Sequence, residues 1–496
     1  MNRSFQSRSL VAAFLACGAL SISTGAFAQA PPLNESIVIG AWTFRPSLEV
    51  RIRGEARTDP FGFDRTLIFG GEAVHWDAPN SNLPPSFRVL STPVPQGWLV
   101  AERTRLGLAV DRGPVTAMLK LQDARALAGT SATGGFLQFG ATGPTAGISP
   151  YEVYIDVHSQ SGRQMFLRLG RQAVKWGDGR LIGTNDFTPT GRSLDAARFG
   201  VEVGDFDVEA LVAVLGLTGS GLSGTAAGGL GSLGDEYDFL GAQLYGLKVT
   251  GHFLPLLQAE AVGLARVVRS ELNPMLAPGN TYVGDLRLFG NYRGFSYSLE
   301  GAYQGGEVAT YDATVVSRAI EAMAFAGRVE WETALPWHLT FGAQGAYATG
   351  DQGTGAVTDK MTRFDPILPD QTINHSRMSL YGWSNLIEFG GDIGAQPMDE
   401  LRLGVGYRFV GLADPKGRWI TGALTTVGAD PDNDQMMLGQ EIDATIRVSP
   451  WDPVSFEAGY GAFLLGDGGK NILAKAGRSA VEMQHWGYLQ ATVRAP

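Results

Sequence analysis

The amino-acid sequence predicts an all-β protein that folds as a membrane-spanning barrel of about 18 antiparallel strands. Three observations lead to this prediction. The first 29 residues have the features of a secretory signal, and beyond them many short stretches alternate between apolar and polar side chains. After the signal, no stretch reaches the run of about 18 apolar residues that a spanning helix needs. A closed barrel, whose backbone groups all pair between strands, is the spanning fold that remains.

The start of the chain predicts export across the inner membrane. Arg3 and Arg8 give it a positive start, residues 10–22 are predominantly apolar, and residues 26–28 (Ala-Phe-Ala) form a cleavage site with small side chains. We therefore expect residues 1–29 to be a Sec-type signal peptide. The exported chain would be delivered to the periplasm and from there to the outer membrane, where barrels of this kind reside.

The single cysteine and the short stretch after the signal limit the domain organisation. Cys17 lies inside the predicted signal peptide, so disulfides are not expected in the exported chain. A lipoprotein signal that ends at Cys17 is the competing interpretation. Residues 30–45 are expected to be a short periplasmic segment and residues 46–496 the barrel. About seventeen exported residues precede Pro46, too few for the plug domain of a ligand-gated receptor of the TonB-dependent type.

The exported chain is acidic, and its basic residues are mostly arginine. The full chain has 39 Lys and Arg against 49 Asp and Glu, a formal charge of −10, and removal of Arg3 and Arg8 makes it −12. Nucleic acid is therefore not expected as a partner. Arg outnumbers Lys by 32 to 7, which favours sites where a permanently charged guanidinium group meets carboxylates.

Residues 48–57 show the alternating pattern most clearly. Leu48 and every second residue after it are apolar or small, whereas the five residues between them, from Glu49 to Arg57, are all charged. A strand half buried in a soluble sandwich also alternates, but it seldom carries five charges in succession on its polar side. The pattern indicates a strand with lipid on one face and a water-filled lumen on the other.

The same pattern recurs along the chain, and the connections alternate in length. Eight short turns that contain Gly, Pro, Asp or Ser alternate with nine long connections, as expected for periplasmic turns and extracellular loops. An open lumen follows from so many strands. The predicted strands are 46–57, 98–111, 115–125, 150–160, 163–174, 196–204, 206–216, 238–250, 256–269, 282–293, 295–305, 321–334, 338–349, 380–394, 400–412, 438–448, 454–465 and 483–494.

Several motifs carry a resemblance to a known family. The segment Gly170–Phe199 (GRQAVKWGDGRLIGTNDFTPTGRSLDAARF), the pairing of Glu102–Leu108 (ERTRLGL) with Lys120–Leu127 (KLQDARAL), and Trp383–Leu386 (WSNL) after Phe364-Asp365-Pro366 resemble the alginate export family of outer-membrane porins. The resemblance implies an eighteen-stranded monomeric barrel in outer-membrane lipid, with an Arg-rich constriction. It implies outward passage of an acidic polysaccharide made of uronic acids, with periplasmic export components among the expected partners.

The alternation also predicts which charged residues face the lumen. A ring of guanidinium groups would lower the barrier for carboxylates, and each contact can be bidentate. The inward cations are Arg51, Arg53, Arg103, Arg105, Lys120, Arg168, Arg198, Arg287, Arg402, Arg408 and Arg447. The inward acids are Glu49, Glu55, Asp111, Glu152, Asp156, Glu202, Asp207, Glu209, Glu260, Asp285, Glu300, Glu330, Glu441, Asp443 and Glu457. Cross-strand ion pairs that stiffen the wall are therefore an alternative role for any of these arginines.

One long connection concentrates charge. Six charged residues crowd residues 175–195, and they either fold inward as a constriction or hold the connection together locally. A structural role is the expectation for Asp178 and Asp195, whereas Arg180 and Arg192 join the predicted pore residues.

Other functions fit the sequence less well. No Gly-x-Ser-x-Gly motif is present and the His residues are scattered, so we expect no enzyme, no metal site and no cofactor. A channel for hydrophobic solutes would carry apolar side chains inward, contrary to the charged faces. A general porin for small anions or oligosaccharides uses the same kind of wall as a polysaccharide exporter, so both hypotheses stay open.

Overall fold

The computed structural model describes residues 36–58, 96–129, 148–159, 164–215, 242–268, 279–311, 315–351, 360–424, 426–476 and 482–495. The predicted signal peptide, residues 1–29, lies outside these described residues. The elements are β1 (Ile37–Ile39), β2 (Trp42–Thr58), β3 (Gln96–Arg112), β4 (Val115–Gly129), β5 (Ser149–His158), β6 (Met165–Gln172), β7 (Leu194–Val203), β8 (Phe206–Val214), β9 (Ala242–Leu254), β10 (Leu257–Val268), β11 (Gly279–Tyr292), β12 (Phe295–Tyr311), β13 (Val315–Glu332), β14 (Thr340–Ala348), β15 (Lys360–Met361), β16 (Leu386–Met398), β17 (Leu401–Gly411), β18 (Trp419–Ile420), β19 (Thr426–Gly428), β20 (Met437–Trp451), β21 (Val454–Leu465), α1 (Asp467–Lys475) and β22 (Met483–Ala495).

Within these residues, 18 strands form a closed antiparallel barrel, which confirms the predicted fold class. Each barrel strand pairs with its neighbour in the sequence, and β2 closes the ring by pairing with both β3 and β22. At the closure, Arg51 of β2 lies opposite Arg103 of β3 on one side and Thr492 of β22 on the other. Closure leaves the barrel without an open sheet edge.

The alternation seen in the sequence corresponds to the two faces of the barrel wall, one toward the lumen and one toward lipid. In β11, Val283, Asp285 and Arg287 are buried, whereas the intervening Leu286 and Leu288 are exposed. This pattern is the reverse of a soluble protein, because the outer surface of the barrel contacts lipid hydrocarbon. Short turns join the strands at one end, the periplasmic end by this architecture, and long connections join them at the other.

The predicted strands overlap the observed ones, with differences at the β12–β13 hairpin and where the chain folds into the lumen. β12 ends at Tyr311 and β13 begins at Val315, whereas the predicted limits were 305 and 321. The strand predicted to begin at residue 380 begins at Leu386, and the strand predicted to end at residue 174 ends at Gln172. Apolar residues continue past both limits because they pack in the lumen, not because they face lipid. The connection predicted at 466–482 contains helix α1. No described helix is long and apolar enough to cross a membrane.

Two connections fill part of the lumen. Residues 173–193, between β6 and β7, are loop A, and residues 362–385, between β15 and β16, are loop B. Their apolar side chains form one buried cluster with the barrel wall; Ile182 of loop A and Phe364 of loop B have no exposed surface, and Trp383 has 1%. Trp383 also donates its indole N–H to the backbone oxygen of Tyr347 at 3.1 Å. The two loops are thus part of the packed core.

Candidate functional site

Arginines from β2 hold loop A by its backbone. Arg51 donates to the carbonyl oxygens of Asp186 (2.9 Å) and Thr188 (2.5 Å). Arg53 donates to the carbonyl oxygen of Phe187 at 2.7 Å, and its guanidinium carbon lies 4.4 Å from the centre of the Phe187 ring. Both side chains are buried beneath the loop. Carbonyl oxygens of loop A that have no strand partner thereby accept hydrogen bonds from charged guanidinium groups.

Arginines from β3 hold the same stretch of loop A by its side chain. Arg103 Nη1 lies 3.1 Å from Asp186 Oδ1, and Arg105 Nη1 lies 2.6 Å from that oxygen. Arg103 also contacts Glu49 of β2 at 2.5 Å. Burial raises the pKa of Asp186, but the charges of Arg103 and Arg105 outweigh it and hold this pKa below its usual range. Asp186 is therefore a permanent anchor at neutral pH.

Arg192 ties loop A to loop B. Its Nη1 donates to three backbone oxygens, those of Gly183 (3.0 Å), Leu368 (2.5 Å) and Pro369 (3.0 Å). The side chain is buried, and burial lowers the pKa of Arg192 to about 10. Beside it, Asp370 of loop B accepts the backbone N–H of Asn185 in loop A. The two loops therefore move or stay as one unit.

A second ionic cluster anchors the first part of loop A. Arg180 Nη1 lies 2.6 Å from Glu300 and 2.9 Å from Asp178, while Arg287 Nη1 lies 2.9 Å from Asp178 and Arg287 Nε lies 3.3 Å from Glu260. Burial raises the pKa of Asp178, but Arg180 and Arg287 outweigh it and lower this pKa. The structural role predicted for Asp178 agrees with these contacts.

The remaining predicted cations lie on the lumen face, mostly next to carboxylates. The pairs are Lys120 with Glu152 (2.5 Å), Arg168 with Asp156 (2.5 Å), Arg198 with Glu209 (2.7 Å), Arg408 with Asp443 (2.5 Å) and Arg447 with Glu457 (3.5 Å). Arg402 is exposed and lies opposite Arg447 in the register of β17 and β20. The predicted cations are thus spread around the wall and do not form one ring. Their part in permeation stays a prediction.

A polar cavity of about 780 Å³ lies in the lumen on the periplasmic side of the two loops. Its cationic lining consists of Lys175, Arg180, Arg287, Arg328, Arg377 and Arg408. Arg328 and Arg377 keep 37% and 39% of their side-chain surface exposed, whereas Arg180 and Arg408 keep 6% and 7%. Arg377 lies 3.6 Å from Asp443, beyond hydrogen-bond distance. The cavity therefore has two partly exposed guanidinium groups, those of Arg328 and Arg377.

Arg328 and Arg377 were not among the predicted pore residues. Arg328 has the same position in the alternation as Glu330, which was predicted to face inward, so the pattern contained a signal for it. Arg377 lies in loop B, where no periodicity exists. Among the described residues, no group of three or more His, Cys, Asp or Glu side chains is placed to hold a metal ion.

Comparison with known proteins places the fold and the family. The crystal structure of a BenF-like porin from Pseudomonas fluorescens Pf-5 has a TM-score of 0.53 at 9% identity, covering 91% of this chain and 98% of that chain. Pseudomonas aeruginosa OccK8 (OprE) has a TM-score of 0.51 at 10% identity, covering 91% and 98%. At such low identity the likeness shows the fold alone.

The sequence comparison identifies the family. No curated protein matches the chain. The family described as Alginate export matches residues 102–214 and 275–480, more than half of the chain. These two segments contain the motifs on which the resemblance rested, and they include most of loops A and B. Family and fold together make the protein an outer-membrane channel. The chain belongs to the alginate export family of outer-membrane β-barrels.

Proposed function

We propose that this channel passes an acidic polysaccharide of the uronate class outward, past the partly exposed Arg328 and Arg377 in the cavity beside loops A and B. The observation that carries the proposal is the exposure of Arg328 and Arg377 there, against the near-complete burial of the other guanidinium groups beneath loop A. A guanidinium whose N–H groups face water can donate two hydrogen bonds to one carboxylate in a bidentate contact.

The contacts of Arg377 favour transient binding. Its Nε lies 3.6 Å from Asp443, and Asp443 is already bonded to Arg408 at 2.5 Å. A uronate carboxylate would therefore compete with a weak contact. Arg328 differs, because it donates to Gln344 (2.9 Å) and Glu330 (3.0 Å) and lies 3.2 Å from Asp392. Exchange of such contacts lets a polyanion advance without tight binding.

We assign the four arginines of β2 and β3 a different role within the same proposal. Arg51, Arg53, Arg103 and Arg105 all donate hydrogen bonds to loop A, so they would shape the constriction and need not touch the substrate. Lys120, Arg168, Arg198, Arg402 and Arg447 would add positive charge to the wall, and Arg180, Arg192, Arg287 and Arg408 would hold the loops and the cavity in place.

A general porin for small anions or oligosaccharides is the second candidate. Loops A and B pack tightly inside the barrel, and Ile182 and Phe364 are fully buried. A lumen narrowed in this way suits small solutes as well as a single extended chain. Monomeric assembly and a periplasmic export partner belong to the polysaccharide proposal and are not needed by the porin.

Planar-bilayer recording distinguishes these possibilities. We expect anion selectivity and block by oligouronates that strengthens with oligomer length, because a longer chain contacts more arginines. Arg377→Gln and Arg328→Gln should weaken both. Lys470→Gln removes the same charge from helix α1 and should leave both unchanged. Block that is independent of length would favour the small-solute porin, and cation selectivity would refute both candidates.

A further inference from the structure

Asp285 is a buried carboxyl group without a cationic partner. It lies on the lumen face of β11, only 8% exposed, and its Oδ1 atom has no hydrogen-bond partner among the described residues. The residues directly opposite it are Val262 of β10 and Ala302 of β12, which are both apolar. A carboxylate in such a place is destabilised relative to the neutral acid, because burial removes most of its hydration and its buried Oδ1 atom receives no donor.

The charged groups around Asp285 are already matched to one another. The sheet register places Glu260 of β10, Glu300 of β12, Arg287 of β11 and Lys248 of β9 on the same face of the wall as Asp285. Loop A adds Asp178, Arg180 and Lys175, which line the cavity together with Arg287. Arg180 contacts Glu300 and Asp178, and Arg287 contacts Asp178 and Glu260. Lys248 lies 3.4 Å from Glu209, and Lys175 lies 3.7 Å from Asp370.

The two guanidinium groups of Arg180 and Arg287 thus pair with three carboxylates, and Asp285 is not one of them. Glu260 and Glu300 occupy the positions opposite Arg287 on both neighbouring strands, so each lies diagonal to Asp285. Diagonal neighbours in a sheet are close enough for long side chains to interact. Ionisation of Asp285 would add a fourth negative charge to a buried group, which favours retention of its proton.

Through this arrangement, protonation of Asp285 affects the electrostatic potential in the lumen. Arg180 and Arg287 both line the cavity described above, and both adjoin the carboxylates next to Asp285. A charge buried in a low-dielectric wall acts over several ångströms with little screening. The potential felt by an ion in the cavity therefore depends on whether Asp285 carries its proton.

We propose that Asp285 is a proton-binding switch of ion selectivity. With its proton, Asp285 adds no charge to the cluster of Arg180, Arg287 and their three carboxylates, so the positive potential that Arg328 and Arg377 give the cavity is not reduced. When alkaline solution removes the proton, the new negative charge offsets part of that positive potential, and preference for anions falls. The switch needs only that the barrel conducts ions, and it does not depend on the identity of the transported saccharide.

The test compares reversal potentials in a salt gradient across a series of pH values on both sides of neutrality. The wild-type channel should lose anion preference as pH rises. Asp285→Asn is neutral and nearly isosteric with the protonated acid, so it should keep the acid-side selectivity throughout. Asp156→Asn is the matched control, because Asp156 is equally buried at 8% and also has an unpartnered oxygen, yet it is paired with Arg168 at 2.5 Å. It should keep the wild-type dependence on pH.

Infrared spectroscopy supplies a readout without conductance. The carbonyl stretch of a protonated carboxyl group should be present in the wild type at neutral pH, disappear on alkalinisation, and be reduced in Asp285→Asn. An unchanged pH dependence of selectivity in Asp285→Asn, or an unchanged carboxyl band in that variant, would overturn the proposal.

Discussion

Replacement of Arg192 tests the interpretation that loops A and B act as one unit. Arg192→Met keeps much of the aliphatic volume but removes the guanidinium that donates to Gly183, Leu368 and Pro369. The oxygen of Leu368 would remain satisfied, because it also accepts the N–H of Gly183 at 2.9 Å. The oxygens of Gly183 and Pro369 would each lose a buried donor.

The expected cost follows from those two oxygens. A buried polar group that loses its partner costs about 1–3 kcal/mol, so the loss at two oxygens should weaken packing of the two loops by about 2–6 kcal/mol. That is enough to raise the population of displaced loops by about one to four orders of magnitude at about 1.4 kcal/mol per tenfold. The barrel wall should be unaffected, because Arg192 contacts no strand backbone among the described hydrogen bonds.

Two assays measure the effect. Limited proteolysis should cut loop A or loop B faster in Arg192→Met, and single-channel traces should show larger or noisier conductance. The shift in gel mobility on heating, which reports the folded barrel, should stay unchanged. Arg192→Lys should be intermediate, because an ammonium group keeps the charge but loses the planar fork. Arg45→Met, at an exposed rim position, is the control. Wild-type proteolysis and conductance in Arg192→Met would refute the reasoning.

Three further perturbations have defined outcomes. Gly170 has φ +124°, and a Cβ there would lie 2.2 Å from the backbone oxygen of Val153. Gly170→Ala should therefore reduce the folded fraction, which is measured by the shift in gel mobility on heating. A normal yield of folded barrel would contradict this. Trp383→Ala should weaken the packing of loop B by about 3–5 kcal/mol, seen as faster proteolysis of that loop, and equal rates would contradict it. The lowered pKa of Asp186 means that its stabilisation is present above the usual Asp range of about 4 and is lost only as pH falls through the lowered value. Protection of loop A from proteolysis at about pH 5 should therefore equal that at about pH 7, whereas Asp186→Asn should lose this protection at both pH values. Loss of protection at about pH 5 in the wild type would show that Arg103 and Arg105 do not keep the carboxylate ionised.

The strands could be predicted because lipid and lumen impose opposite demands on successive residues. Arg51 and Ile52 illustrate this rule, since the first is buried on the lumen face and the second is 46% exposed on the outer face. The rule fails where the chain itself fills the lumen. Leu380 and Trp383 are apolar like strand residues, yet they belong to loop B and pack in the interior. The local sequence pattern does not show whether an apolar side chain faces lipid or packs inside the barrel.

The candidate site was less predictable than the fold. The lumen position of Arg51 follows from local alternation, but its acceptors in loop A lie 135 and 137 positions away in the sequence. Contacts over such separations depend on the path of loop A, which no periodicity describes. Exposure is equally non-local, because Arg377 is accessible where loop B lines the cavity together with strands that are distant in the sequence. Sequence therefore indicated which residues carry charge, and the loops determine which charges a solute can reach.

Pairing of β2 with β22 has a consequence for how the protein folds. The indole of Trp486 bonds to Glu55 across 431 positions of sequence, so the cylinder cannot be sealed until the last strand has been synthesised and delivered. Hairpins between successive strands are local and form early, whereas this final seam carries the largest loop-closure entropy. Until then both terminal strands present unpaired edges, which are prone to pair with other chains.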